Sequence, residues 1–165
     1  AIALGGTAAM LADLVALGLA RDAGGAWHLA GAALFVGAAL LFWGAVRANR
    51  ARPLTLAFSD DRPGHLVTWG PYAWVRHPFY SAYMLAWIAG AVAAAQPLLL
   101  GALVGMGALY RAAARREEAK FAASDLADAY AAYRARTGMF FPRRVSQPPS
   151  VSSPSRAPST VSSGA

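Results

Sequence analysis

The stretch that decides the fold is WHLAGAALFVGAALLFWGAV, residues 27–46. One ionisable side chain, His28, interrupts an otherwise apolar run of 20 residues. A helix of this length is roughly 30 Å long, which matches the thickness of a bilayer's hydrocarbon core. Trp27 and Trp43 lie near its two ends, where aromatic residues favour the membrane interface. The stretch therefore predicts a transmembrane helix.

The composition of the whole chain agrees with this prediction. The chain has 165 residues, of which 57% are hydrophobic and 14% charged, and its mean hydropathy is +0.38. Soluble globular proteins carry about 25% charged residues, and a small domain cannot bury this much apolar surface. The absence of cysteine excludes a disulfide scaffold and a thiol nucleophile, and no His/Cys cluster suggests a metal site. We expect a small integral membrane protein.

Three further apolar stretches predict additional spans. Residues 1–20 form one and contain a single acid, Asp13, for which a structural and a functional role stay open. Residues 78–95 and 97–115 form two more, separated at Gln96-Pro97, and Pro97 is suited to the first turn of a new helix. The predicted fold is an all-α polytopic membrane helix bundle of about four transmembrane helices. Gly101 and Gly105 are spaced for close helix packing, or simply reflect a glycine-rich composition.

The distribution of positive charge predicts the topology. Four spans place the N-terminus, the loop of residues 47–77 and the C-terminal segment on one side of the membrane. That side carries Arg47, Arg50, Arg52, Arg62, Arg76, Arg111, Arg115, Arg116 and Lys120. The opposite side carries Arg21 alone. The positive-inside rule then places the long loop and the C-terminus in the cytoplasm. The composition, rich in alanine and arginine, suggests a bacterial source and therefore a bacterial inner membrane.

The C-terminal part changes character twice. Residues 111–136 are charged but suited to a helix, which predicts a cytoplasmic extension of the fourth span, straight or kinked. Beyond Pro142 the chain is rich in Ser and Pro, a composition that cannot bury a core. We expect a membrane domain over residues 1–142 and a disordered tail over residues 143–165.

A net charge of +7 could indicate a nucleic-acid partner. The arginines, however, lie at the edges of apolar stretches or in the tail. Membrane lipids with anionic headgroups explain that position better than a duplex does, and we expect no nucleic-acid partner.

The most informative polar residues precede the third span, in LVTWGPYAWVRHPFYSAY, residues 66–83. Pro78 at the first helical position makes His77 the N-cap and places Tyr80 in the first turn. A helix N-terminus attracts anions, and Arg76 adds positive charge there. The segment predicts a site for a carboxylate or phosphate, or else an anchor in the headgroup region.

A second group of charged residues follows the fourth span, in RAAARREEAKF, residues 111–121. On a helix Arg111, Arg115 and Glu118 share one stripe, and Glu117 lies about 100° round from Glu118. The two acids could bind a cationic group of a ligand. The alternative is a solvated helix face with internal ion pairs.

Together these motifs resemble the isoprenylcysteine carboxyl methyltransferase family, a group of membrane methyltransferases related to the phospholipid N-methyltransferases. The resemblance covers residues 66–142, about half of the chain. It is carried by Gly70-Pro71-Tyr72, Arg76-His77-Pro78 with Tyr80, Arg116-Glu117-Glu118, Tyr130, Tyr133 and Phe140-Phe141-Pro142. Ala82 stands where the family has a small glycine.

The resemblance implies S-adenosylmethionine as cofactor. The residues it assigns to the cofactor are Gly70, Pro71, Tyr72, Arg76, His77, Pro78, Tyr80, Glu117 and Glu118. The cofactor's carboxylate suits the helix end at His77, and its ammonium and sulfonium suit the two glutamates. Aromatic contacts to the sulfonium are expected from Tyr72, Trp74 and Tyr80. For catalysis we expect Glu118, and Arg115 (or Arg111) as the group that orients an anionic acceptor.

The implied reaction is methyl transfer to a lipophilic small molecule or lipidated substrate at the cytoplasmic face, with a carboxylate as the favoured acceptor. A carboxylate needs no base, whereas an amine or thiol would need deprotonation. Methylation of a phospholipid amine or a small-molecule thiol is one alternative. A lipid-binding membrane protein without catalytic activity is another.

Overall fold

A computed structural model of the chain describes residues 25–50 and 64–143. Within these ranges the chain forms α1 (Gly25–Asn49), α2 (Pro78–Ala93), α3 (Leu100–Ala122) and α4 (Ala127–Arg136). Two short 3-10 helices, Gly70–Ala73 and Pro97–Leu99, precede α2 and α3. The described residues contain no β-strand, which confirms the all-helical prediction for this part of the chain.

The prediction of four membrane spans is not confirmed. Of the described helices, α1 is long and apolar enough to cross a membrane, and it contains the whole predicted span 27–46. The apolar α2 has 16 residues, fewer than the ~20 that cross a hydrocarbon core. The 23 residues of α3 include a charged second half, because its apolar run ends at Arg111.

Several predictions concern residues that the structure does not describe. The first span, residues 1–20 with Asp13, lies outside the described ranges, as do Arg52, Arg62 and the tail beyond residue 143. The domain boundary at residue 142 therefore stays a prediction.

α1 and α2 pack antiparallel, with glycines of α1 at the points of closest approach. A Cβ atom added at Gly31 would lie 2.3 Å from the Cβ of Ala93, at the far end of α2. One added at Gly44 would lie 2.9 Å from Pro71, just before α2. At Gly37, between them, the nearest atom would be 3.6 Å away in Leu85. The helices touch backbone to backbone at Gly31 and Ala93, while Gly44 lies against the segment that leads into α2.

Gly31→Ala is expected to destabilise the protein by about 1–3 kcal/mol, because the new methyl group overlaps the backbone of Ala93. Gly37→Ala is the matched control, since it adds the same methyl group to the same helix at ordinary contact distance. Thermal unfolding in detergent measures both. Equal midpoints for the two variants would contradict the close crossing.

The turn after α2 ends the helix sharply. Ala95 adopts a left-handed backbone with φ of 49°. The Gln96 amide donates to the carbonyl of Ala91 at 3.1 Å, and the Ala95 amide donates to that of Val92 at 3.1 Å. This pair of bonds is the Schellman ending, which satisfies the last carbonyls of a helix. Pro97 then starts the next helical segment, as its position in the sequence predicts.

The glycines of α3 do not take part in a comparable crossing. Within the described ranges no atom lies within 4 Å of a Cβ atom added at Gly101 or Gly105. The packing interpretation of this pair is therefore not supported by the described helices.

The predicted extension over residues 111–136 is divided into two helices. Ser124 breaks it: its hydroxyl donates to the Phe121 carbonyl at 2.8 Å and accepts from the Leu126 amide at 3.2 Å. A serine that bonds to its local backbone competes with helix continuation. The break turns α4 back, so that Tyr133 hydrogen-bonds to the Tyr72 carbonyl at 2.7 Å. The extension is therefore kinked.

Candidate functional site

The N-terminus of α2 has the predicted arrangement, with Pro78 in the first turn and His77 as N-cap. No side chain caps this helix end. Residues 137–143, here called the C-terminal strap, cross in front of it. The Arg76 amide donates to the Gly138 carbonyl at 2.8 Å, and the His77 amide donates to that of Met139 at 3.1 Å. The strap thus holds the backbone of residues 76 and 77 just ahead of the helix.

α3 brings two carboxylates against this helix end. His77 Nδ1 lies 3.2 Å from Glu117 Oε2, and His77 Nε2 lies 3.3 Å from Glu118 Oε1. The Tyr80 hydroxyl donates to Glu117 Oε1 at 2.7 Å, and Arg76 Nε donates to Glu118 Oε1 at 2.8 Å. These five residues are here called the ionic cluster. The structure thereby unites residues that are about 40 positions apart in the chain.

The two glutamates of the ionic cluster have different surroundings. The side chain of Glu118 is 7% exposed, and its oxygens face Arg76, His77 and, at 3.8 Å, Arg134. Burial alone would raise the pKa of Glu118, but hydrogen bonds from His77 and Arg76 lower that pKa to about 2. The side chain of Glu117 is 25% exposed. Glu117 is therefore the more accessible acid, whereas both carboxylate oxygens of Glu118 face side chains of the protein.

His77 is held between the two acids. Burial alone would lower its pKa, but hydrogen bonds and charge interactions with Glu117 and Glu118 outweigh burial and raise the pKa above its ordinary value. With both ring nitrogens facing carboxylates, the doubly protonated ring satisfies both partners.

The raised pKa of His77 predicts how stability depends on pH. The charged ring contributes stability in full below its unfolded pKa of about 6.5, and this contribution is lost as the pH rises through the folded-state pKa. The thermal midpoint of the wild type should therefore fall above about pH 6.5 relative to that of His77→Gln. Thermal scans of both proteins across pH 5 to 9 measure the difference. A difference that stays constant with pH would show that the ring is not charged in the folded protein.

Arg76 is engaged inside the protein rather than directed at a free anion. Its side chain is 8% exposed. Besides binding Glu118, its guanidinium donates to the carbonyls of Thr137 and, at 3.4 Å, Arg134. These carbonyls end α4, where a cation also interacts favourably with the helix dipole. Arg76 therefore joins α3, α4 and the strap to the start of α2.

The Gly70-Pro71-Tyr72 turn lies against the C-terminal end of α1. Gly70 has a φ of 62°, a conformation that favours glycine. Tyr72 is buried, and its hydroxyl accepts a hydrogen bond from the side-chain nitrogen Nδ2 of Asn49 at 2.8 Å. In the sequence, the one signal for Asn49 is that it is a polar residue at the end of an apolar helix.

Aromatic rings continue the site toward the apolar part of the helices. The Tyr80 ring stacks on Tyr110 with a centroid distance of 5.3 Å. The Phe140 ring of the strap forms T-shaped contacts with Tyr80 and His77, at centroid distances of 6.4 Å and 6.0 Å. Tyr110 was missed in the sequence because it lies within the apolar run of α3. Trp74, expected near the cofactor, is 67% exposed at the surface.

Arg115 and Arg111 lie outside the ionic cluster. Both side chains are exposed on α3. Around that helix, Arg115 lies about 60° from Glu118, on the side away from Glu117. The buried face of α3 contains Tyr110, Ala114 and Glu118. Arg115 shares the predicted stripe with Glu118 but lies just beyond the edge of this buried face. Glu118 is thus part of the ionic cluster, whereas Arg115 lies outside it at the surface of α3.

Comparison with known proteins identifies a family. The model of the isoprenylcysteine carboxyl methyltransferase (ICMT) family matches residues 29–123, more than half of the chain. The matched region includes most of α1, all of α2 and α3, and the whole ionic cluster. α4 and the strap lie beyond it. No curated protein and no solved structure matches the chain.

Proposed function

Because the chain belongs to the isoprenylcysteine carboxyl methyltransferase family, we propose that it transfers a methyl group from S-adenosylmethionine to the carboxylate of a lipophilic acceptor at the cytoplasmic face of the membrane. Family membership implies a membrane methyltransferase, and members of the family use S-adenosylmethionine as methyl donor. The acceptor, the membrane face and the site residues are the proposed part.

The residues of the ionic cluster fit this cofactor. S-adenosylmethionine, when bound, supplies a methyl group on a positively charged sulfonium, and it also carries an ammonium group. The half-buried Glu117 offers a carboxylate to these positive charges, and the Tyr80 hydroxyl and His77 hold that carboxylate in place. The stacked rings of Tyr80 and Tyr110 beside it favour a cation through their π faces. This acid beside aromatic rings is the observation that carries the proposal.

The state of His77 supports a carboxylate as acceptor. Both of its ring nitrogens face glutamates, which favour the protonated ring, so His77 is not free to take a proton from an acceptor. An amine or thiol acceptor would need a base, whereas a carboxylate is already ionised at neutral pH. Alignment of the acceptor and exclusion of water then account for the rate. The strap and α2 would keep water away from the ionic cluster.

We propose further that Arg115 orients the acceptor. Its exposed guanidinium lies beside the edge of the packed face of α3, where it could hold an anionic group by two parallel hydrogen bonds. Arg115→Lys is then expected to lower kcat roughly tenfold, the scale of one lost contact of about 1.4 kcal/mol, and to leave cofactor affinity unchanged. Steady-state kinetics and calorimetry measure the two quantities. Equal losses in both would contradict this role.

The proposed reaction can be tested by the chemistry of its product. Purified protein in lipid nanodiscs is incubated with S-adenosylmethionine labelled in its methyl group and with long-chain acids, amines and thiols in parallel. We expect label in the acid alone, released as methanol by mild alkali, because methyl esters hydrolyse under alkali. Label in the amine or thiol, stable to alkali, would overturn the carboxylate assignment and favour the alternative acceptors.

A further inference from the structure

One buried polar atom of the described residues has no hydrogen-bond partner: Oδ1 of Asn49. Asn49 is the last residue of α1 and is 8% exposed. Its amide nitrogen donates to the carbonyl of Ala45 and to the Tyr72 hydroxyl, both at 2.8 Å. Exchanging the oxygen and nitrogen positions would place two oxygens 2.8 Å apart at Ala45, so the orientation of the amide is determined by that carbonyl. Oδ1 is therefore an acceptor that lacks a donor.

Capping of the helix explains only part of this geometry. Asparagine near a helix end commonly bonds to a local carbonyl, as Asn49 does with Ala45. That function leaves Oδ1 unexplained, and buried polar atoms of native proteins are nearly always paired. It also leaves the bond to Tyr72 unexplained, which joins α1 to the Gly70-Pro71-Tyr72 turn.

Asn49 and Tyr72 together present one acceptor and one donor. The Tyr72 hydroxyl accepts from Asn49, so its own proton is directed elsewhere. The pair therefore offers Oδ1 as an acceptor beside an O–H donor. Its surroundings are apolar, since Ala45, Ala48, Val67 and Phe79 pack around Tyr72.

The pair also lies near the ionic cluster. Phe79 packs against the buried cluster of Ala45, Ala48 and Tyr72, and the next residue of α2, Tyr80, donates to Glu117. The Tyr72 carbonyl also accepts from Tyr133 of α4, the helix whose last carbonyls bind Arg76. The pair and Glu117 therefore border the same helix N-terminus.

We propose that Asn49 Oδ1 and the Tyr72 hydroxyl form the adenine-binding part of the site and bind the edge of the base. Adenine carries an amino donor next to a ring-nitrogen acceptor, which is the complement of this pair. The flat base suits the apolar surroundings, whereas the ammonium group is matched by the charge of Glu117. The assignment rests on the proposed function, because it takes S-adenosylmethionine to be the methyl donor.

The test compares two ligands that differ at this edge of the base. S-inosylhomocysteine has a carbonyl oxygen and a ring N–H where S-adenosylhomocysteine has an amino group and a ring nitrogen, so it reverses the donor and acceptor. Calorimetric titration of the wild-type protein should show the inosyl ligand binding at least about tenfold more weakly, the scale of one buried hydrogen bond. In Asn49→Leu, which keeps a similar volume, the difference between the two ligands should shrink, because Tyr72 alone is left to distinguish them. Its thermal midpoint shows whether the variant still folds, since the substitution removes the bonds to Ala45 and Tyr72 together with the unpaired acceptor.

Each outcome has a definite meaning. Equal affinity of the wild type for both ligands overturns the adenine assignment, whether or not Asn49→Leu folds. A preference that persists unchanged in Asn49→Leu overturns it as well and makes Asn49 a helix cap only. Loss of affinity for both ligands by the same factor places the contact on another part of the cofactor, against the proposal. Failure of the wild type to bind S-adenosylhomocysteine at all overturns the proposed function itself.

Discussion

Glu117→Gln is expected to weaken binding of S-adenosylhomocysteine roughly tenfold to a hundredfold. The substitution keeps the shape of the side chain and an oxygen that accepts from the Tyr80 hydroxyl, but it removes the negative charge. A hydrogen bond to a charged group contributes about 1.5–3 kcal/mol, which corresponds to this range in affinity. Glu117 is the partly exposed acid of the ionic cluster, so we expect its charge to act on the ligand. Calorimetric titration in detergent measures the effect.

Glu118→Gln is the matched control, because it makes the same change one residue along the same helix. Glu118 is buried against Arg76 and His77, so its charge acts within the protein. We expect Glu118→Gln to lower the thermal midpoint substantially and to change affinity less than Glu117→Gln does. The reverse order, with the larger loss of affinity in Glu118→Gln, would place the ligand at the other acid.

Arg76→Met is expected to destabilise the fold by about 3–5 kcal/mol. The guanidinium binds a buried carboxylate and two carbonyls at the end of α4. Removing one partner of a buried ion pair leaves the other charge uncompensated, which is far costlier than replacing both. Thermal unfolding monitored by tryptophan fluorescence measures the change.

The double variant Arg76→Met/Glu118→Gln separates the ion pair from the other roles of Arg76. If the pair is the main contact, the double variant should be more stable than Arg76→Met alone, because the unpaired charge is gone. Additive losses in the double variant would show that the two side chains do not interact in the folded protein.

The parts of the fold that follow from local sequence were predictable. The span over residues 27–46 is apolar throughout, and α1 contains it entirely. The His77-Pro78 pair marks the start of α2, because proline fits the first turn of a helix. Pro97 marks the next helical segment for the same reason. Each of these signals lies within a few residues of the feature it predicts.

The parts that depend on tertiary packing were not predictable. An isolated helix puts Arg115 and Glu118 on one stripe, but contact with α2 decides which edge of that stripe is buried. The strap and Asn49 reach the site through bonds to residues more than twenty positions away, as in Asn49 to Tyr72 and Ser81 to Phe140. Arg76 was expected to attract an external anion, but its guanidinium binds Glu118 of α3 and a carbonyl of α4 instead. The division of roles between Glu117 and Glu118 follows from these contacts.

The most direct test of the central claim is a calorimetric titration of S-adenosylhomocysteine into the purified wild-type protein, in detergent and in lipid nanodiscs, beside Tyr80→Ala. Tyr80 holds Glu117 and stacks on Tyr110, so its truncation removes both supports of the proposed cation site. We predict saturable binding at one site in the wild type and its loss in the variant. No heat and no thermal shift in the wild type at millimolar ligand, in both preparations, would contradict the methyltransferase assignment and favour a lipid-binding membrane protein without catalytic activity.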